Sequence, residues 1–180
     1  GGVFASSSMD VDPGVGVVTI TNSGGIDGYF AKYTSTGGLV WANKIGGTYN
    51  DGVNGVGTDG NGNVYVTGYF NGTVDFDPSP TATYNLTSVA TGGPITGSVF
   101  LAKYNPNGQF IWALSFGSGT VFDYGWNVTV TPSGNVFVYG VLTMTSSSNV
   151  DIDPSTNTYI LPSSQGDAFL VEYNTNGQLI

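Results

Sequence analysis

The sequence predicts an all-β fold of four-stranded antiparallel meanders, the blades of a partial β-propeller of about two and a half repeats. Three observations carry this prediction. Blocks of sequence recur at offsets near 70 residues, short apolar runs are joined by Gly-marked turns, and no segment shows the 3.6-residue apolar spacing of a capped helix.

The first recurring block is Tyr29–Gly47, which aligns with Phe100–Ser118 and Phe169–Ile180; Tyr33, Tyr104 and Tyr173 fall 71 and 69 residues apart. Trp41 and Trp112 each follow their tyrosine by eight residues. A second block, Asp59–Phe70, matches Thr131–Leu142 at an offset of 72, superimposing Gly62, Asn63 and Gly68 on Gly134, Asn135 and Gly140. A third, apolar-Asp-apolar-Asp-Pro, occurs at Met9–Pro13, Val74–Pro78 and Val150–Pro154.

Each unit reads as four strands. The first, near Tyr29–Tyr33, meets the second, near Leu39–Ile45, through TSTGG, NPNGQ or NTNGQ, where Asn or Pro starts a turn and Gly takes the positive-φ position. The third, near Asn54–Thr58 and Trp126–Thr131, meets the fourth, near Val64–Phe70 and Val136–Leu142, through DGNGN or TPSGN. Two such hairpins per unit are expected to make one meander. The runs VYVTGYF, VFVYGVL and QFIWALSF are apolar on both faces, so neighbouring sheets must cover them. The periodicity assigns residues 1–13 to the end of a preceding blade with its Asp-x-Asp-Pro loop, 14–78 and 79–154 to two repeats, and 155–180 to the start of a third. With one end inside a fourth strand and the other inside a second, flanking sequence or further copies are expected to supply the missing strands.

The pattern at Phe30–Trp41 and Leu101–Trp112, the GNVYVTG run at Gly62–Gly68 with its variant at Gly134–Gly140, and the VDFDP tail together resemble the bacterial seven-bladed β-propeller repeat (SBBP repeat) family. The resemblance spans nearly the whole chain. It implies a secreted or surface-anchored bacterial protein whose propellers bind or display, and it brings no catalytic residues with it.

Composition narrows the chemistry. Three Lys, no Arg and 12 acidic residues give a net charge of −9, and nothing in the chain offers the basic stripe that nucleic acid requires. Only 8% of residues are charged, unlike the Lys/Glu-rich surface of a cytosolic domain, and the extracellular or cell-surface setting is what the resemblance implies. No run approaches the roughly 20 apolar residues of a membrane span, and neither His nor Cys is present for nucleophilic triads or imidazole and thiolate metal sites.

Two kinds of candidate site remain. The pairs Asp10 and Asp12, Asp75 and Asp77, and Asp151 and Asp153 place carboxylates at i and i+2 on one side of an extended strand, a start toward a calcium site. Since calcium needs six or more oxygens, the better fit is a strand end whose Asp side chains accept from nearby backbone N–H groups before a Pro turn. Trp126, unmatched in the other repeat, is the candidate recognition aromatic, whereas Trp41 and Trp112 are expected in the blade core. The tripeptides at Asn71, Asn85 and Asn127 match the glycosylation pattern at the frequency an Asn- and Thr-rich chain produces by chance. The expected function is a non-enzymatic binding or adhesion scaffold for a glycan or protein, with specificity in the variable loops Ser79–Ser98 and Thr143–Asn149. The alternative is a repeat that assembles into an array or filament with its own copies. A glycosidase would need a non-repeated acid pair, for which Asp167 and Glu172 are the hint.

Overall fold

The computed structural model describes residues 1–89, 96–119, 121, 123–143, 148–163 and 166–180. Among these residues the chain forms strands and no helix: β1 (Gly2–Phe4), β2 (Ser8–Asp10), β3 (Thr19–Thr21), β4 (Asp27–Tyr33), β5 (Leu39–Ile45), β6 (Gly52–Thr58), β7 (Val64–Phe70), β8 (Thr73–Asp75), β9 (Asn85–Thr87), β10 (Ser98–Tyr104), β11 (Phe110–Phe116), β12 (Tyr124–Val130), β13 (Val136–Leu142), β14 (Ser148–Asp151), β15 (Ile160–Ser163) and β16 (Asp167–Tyr173). Every pairing between them is antiparallel.

Three sheets stack as successive blades. The first runs β1-β4-β5, the second β6-β7-β10-β11 and the third β12-β13-β16, with no closed barrel. Strands and hairpin turns therefore lie where the sequence pattern places them, but the sheets are out of step with the sequence units. The expected meander from the first to the fourth strand of one unit does not form. Instead the β6–β7 hairpin of one unit joins the β10–β11 hairpin of the next. The reason lies in the segment after Phe70, which folds back on itself as the ribbon β8–β9. Its closure returns the chain beside its own start, so Ser98 pairs with Phe70 and the register continues to Tyr104 against Val64. The ribbons β2–β3 and β14–β15 follow β1 and β13 in the same way. Residues 46–51, by contrast, carry the chain from the outer strand β5 into the next sheet.

The inner strands β6 and β12 meet backbone to backbone: a Cβ on Gly55 would lie 2.5 Å from the Asn127 Cα. Gly68 and Gly140 recur for a similar reason, since a Cβ at either position would sit within 1.9 Å of the carbonyl oxygen of Gly52 or Tyr124. Apolar residues fill the two joints. Phe30, Ile45, Val66, Phe70 and Phe100 form the first core cluster, between blades one and two. Leu101, Phe116, Val128, Val138 and Phe169 belong to the second, between blades two and three.

Candidate functional site

The Asp-x-Asp-Pro motif ends the first strand of each small ribbon and turns the chain. In every copy the first Asp accepts two backbone N–H groups through one oxygen. Asp10 Oδ1 takes Asp12 and Val18, each at 3.0 Å; Asp75 Oδ1 takes Asp77 at 3.0 Å and Tyr84 at 2.8 Å; Asp151 Oδ1 takes Asp153 at 3.1 Å and Tyr159 at 2.9 Å. The second Asp accepts the N–H two residues on, from Gly14, Ser79 or Ser155. These are side-chain turns that close the ribbon loop. Between them Val11, Phe76 and Ile152 are buried, as the i and i+2 spacing of the carboxylates requires. Among the described residues no group of three or more Asp, Glu, His or Cys gathers where it could hold a metal ion.

The recurring tyrosine and the Asp motif, separate in sequence, are one device in space. Tyr33, Tyr104 and Tyr173 donate their hydroxyls to the carbonyls of Val11 (2.9 Å), Phe76 (2.9 Å) and Ile152 (2.8 Å), the residues between the paired carboxylates. Burial, reinforced by the nearby Asp pair, pushes the Tyr104 and Tyr173 hydroxyls well above their ordinary pKa, so each stays a donor. Tyr104 and Tyr173 are fully buried, whereas Tyr33 keeps 42% of its surface exposed.

The recurring Lys and Trp form the second device. Lys32 Nζ and Trp41 Nε1 both donate to the Pro106 carbonyl at 3.1 Å, and Lys103 Nζ (2.9 Å) and Trp112 Nε1 (3.1 Å) both donate to the Thr175 carbonyl. Pro106 and Thr175 lie in the N-x-N-G turns of the following blades. Gly108 and Gly177 in those turns have φ near +78° and +77° and lie against the indole rings of Trp41 and Trp112. The tryptophans are thus half-buried clamps between blades rather than enclosed core residues.

Three buried carboxylates escape the sequence reading. Asp51 accepts Gly47 N–H at 2.7 Å and Asn71 N–H at 2.9 Å, tying the end of β5 to the end of β7. Asp123, 72 residues on, ties Ser118 to Thr143 in the same fashion. Burial pushes Asp51 up to about 7 and Asp123 up to about 6, against the backbone donors that favour the charged form. Asp27, also buried, accepts from Ser23 N–H at 2.7 Å and pairs with Lys44 Nζ at 3.2 Å. The equal spacing of Asp51 and Asp123 is a signal that sequence reasoning had available.

Trp126 is 50% exposed on the inner strand β12, where the pairing with β13 skips it as a bulge residue. Asn54 occupies the matching bulge of β6, so the bulge is shared and only the side chain differs. The Trp126 ring meets Tyr139 edge to face at 6.5 Å. Asp167 and Glu172 are not brought together: they pair with Leu142 and Phe137 at opposite ends of β16, and Glu172 accepts from Asn135 Nδ2. Of the variable loops, residues 90–95 and 144–147 lie outside the described residues.

No family model matches the chain. Among curated proteins it is similar to an uncharacterised WD repeat-containing protein of Acanthamoeba polyphaga mimivirus, at 25% identity over 158 residues. That match covers 87% of this chain and 11% of that protein, so the chain spans about a ninth of the relative's length. The distant WD repeat-containing relative and the stacked antiparallel blades agree on a β-propeller-type repeat.

Proposed function

We propose that the chain is part of a non-enzymatic propeller scaffold that binds a protein or glycan partner outside the cell. The observation that carries this reading is how completely the repeated polar residues are consumed by the architecture. Each Asp pair closes a ribbon, each Tyr secures it, and each Lys and Trp clamp the next blade. Trp126, unrepeated and exposed, is the aromatic this architecture leaves for recognition. The name of the WD repeat-containing relative and the motif order shared with the bacterial propeller repeats support a scaffold role, and the sparsely charged, Asn- and Thr-rich surface supports the extracellular setting. A photoreactive amino acid at position 126, expressed in the producing cell, tests it. Adducts with a second macromolecule at 126 but not at the buried position 138 are expected; none at either position would remove the reading.

A second reading, assembly with further copies or repeats, is favoured by the open face of the third blade. Tyr139 and Leu170 (68% exposed) pair across that face. Their counterparts in the second blade, Thr67 and Leu101, pair identically and are fully covered. A molar mass that rises with concentration, and falls to the monomer value in Leu170→Lys, is the outcome this reading requires.

A further inference from the structure

We infer that the groove between the first and second blades binds a short neutral oligosaccharide, which deepens the scaffold reading by naming a ligand class and a place. The groove lies on the outer rim and holds about 590 Å³, within the range of small-ligand sites. Asn43 of β5 lines one side; Asp77 and Pro80 of the second ribbon and Asn107, Gln109 and Phe110 line the rest.

Internal hydrogen bonds decide which atoms face a ligand. Asn43 Nδ2 donates to the Gly108 carbonyl at 2.7 Å, which leaves its Oδ1 as an acceptor. Asp77 Oδ1 holds the Ser79 N–H at 2.9 Å, which leaves Oδ2. Gln109 Oε1 accepts Asn105 Nδ2 at 2.7 Å, which leaves Nε2 as a donor. The Asn107 side-chain amide supplies one donor group and one acceptor. Donors and acceptors therefore share the groove with Phe110, whose ring pairs with Tyr84 at 4.7 Å. Vicinal sugar hydroxyls both donate and accept, which matches this mixed set, and the part of Phe110 that lines the groove adds an apolar contact.

Charge selects against an anionic ligand. The groove runs on into a hollow of about 430 Å³ that shares Asn43, Asp77 and Pro78 and adds Asp75 and Lys44. Lys44 is already paired with the buried Asp27 at 3.2 Å. The remaining carboxylates, Asp75 and Asp77, repel an anionic ligand.

The molecule contains its own control. The matching hollow between blades two and three keeps Pro154, Asn176 and Gln178 but is lined by Leu114, which holds the place of Asn43, and measures about 290 Å³. Saccharide is therefore expected only at the first joint.

The test is titration of the full chain with a panel of neutral tetraoses (cello-, manno- and chitotetraose), read by calorimetry and amide chemical shifts. At least one is expected to bind and to shift Asn43, Asn107 and Gln109. Asn43→Leu should weaken it at least tenfold, and Ser115→Ala at the second joint should leave it unchanged. Gln109→Glu, which keeps the acceptor for Asn105 and removes the donor, should also weaken binding and guards against a folding defect in Asn43→Leu. Binding unaffected by both Asn43→Leu and Gln109→Glu, or no heat and no shift with any tetraose at about 10 mM, overturns the proposal. So does preference for a peptide or an acidic oligosaccharide at the same groove. The scaffold reading is judged separately by crosslinking at position 126, so the two fail independently.

Discussion

The two joints between blades are built alike inside and differently at the rim. In both, a Lys and a Trp on neighbouring strands donate to one carbonyl of the next blade's turn, and a positive-φ Gly lies against the indole. At the rim, Asn43 and Lys44 line the first joint where Leu114 and Ser115 stand at the second. Shape complementarity between stacked sheets must recur at every joint, so the clamp repeats; rim side chains have no such obligation and are free to specialise.

The largest effect expected from breaking this likeness is loss of a clamp. Trp41→Ala and Trp112→Ala should each cost about 3 kcal/mol in denaturant unfolding, mainly through lost ring packing, since Lys32 and Lys103 still donate to the Pro106 and Thr175 carbonyls. A loss confined to one of them would show that the clamps are not equivalent.

Next comes pH. Asp51 and Asp123 have folded pKa values raised above the ordinary value of 3.8, so the stability they contribute is fully present below about pH 4. It is lost as pH rises through about 6 for Asp123 and about 7 for Asp51. Stability should fall from pH 5 to pH 8 by an amount on the order of a few kcal/mol, Asp51 contributing the larger share. Asp51→Asn should flatten the upper half of that profile while lowering stability at pH 5, because an amide offers one acceptor to two N–H donors.

The glycines distinguish the joints more finely. A Cβ on Gly108 would come within 2.8 Å of Trp41, while one on Gly177 would stay 3.3 Å from Trp112. Both substitutions to Ala carry the positive-φ penalty of about 1 kcal/mol, and Gly108→Ala should cost about 1 kcal/mol more. Equal melting midpoints for the two variants would contradict the geometry.

Smaller still is the tyrosine hydroxyl. Tyr104→Phe leaves the buried Phe76 carbonyl without its donor and should cost about 1 kcal/mol, whereas water can replace the exposed Tyr33 hydroxyl at little cost in Tyr33→Phe. The smallest effect concerns calcium. Since one oxygen of each Asp is engaged by backbone N–H groups, calcium or chelator should move the thermal midpoint by less than about 1 °C.

Local pattern made much of this legible. Leu39–Ile45, Val64–Phe70 and Val136–Leu142 are strands at the expected bounds, because apolar runs between Gly-marked turns encode them directly. The three ribbons were less visible, since β2, β8 and β14 are only three or four residues long and mostly polar. The pairs Asp10 and Asp12, Asp75 and Asp77, and Asp151 and Asp153 stood out by repetition, yet their partners are backbone groups that no motif displays. Asp27, Asp51 and Asp123 show the converse. A single Asp in a loop or at a strand end looks solvated until the fold closes over it.

By itself the sequence determined the strands, the turns and the period of the repeat, because these depend on residues within a few positions of one another. Only the tertiary structure decided that the four-stranded sheet joins hairpins from two successive units. It also decided that Tyr104 reaches Phe76, that Trp41 reaches Pro106, and that Asn43, Asp77 and Gln109 share a groove. Those contacts span tens of residues, and they exist because stacking apolar sheets is the way this chain removes both faces of its strands from water.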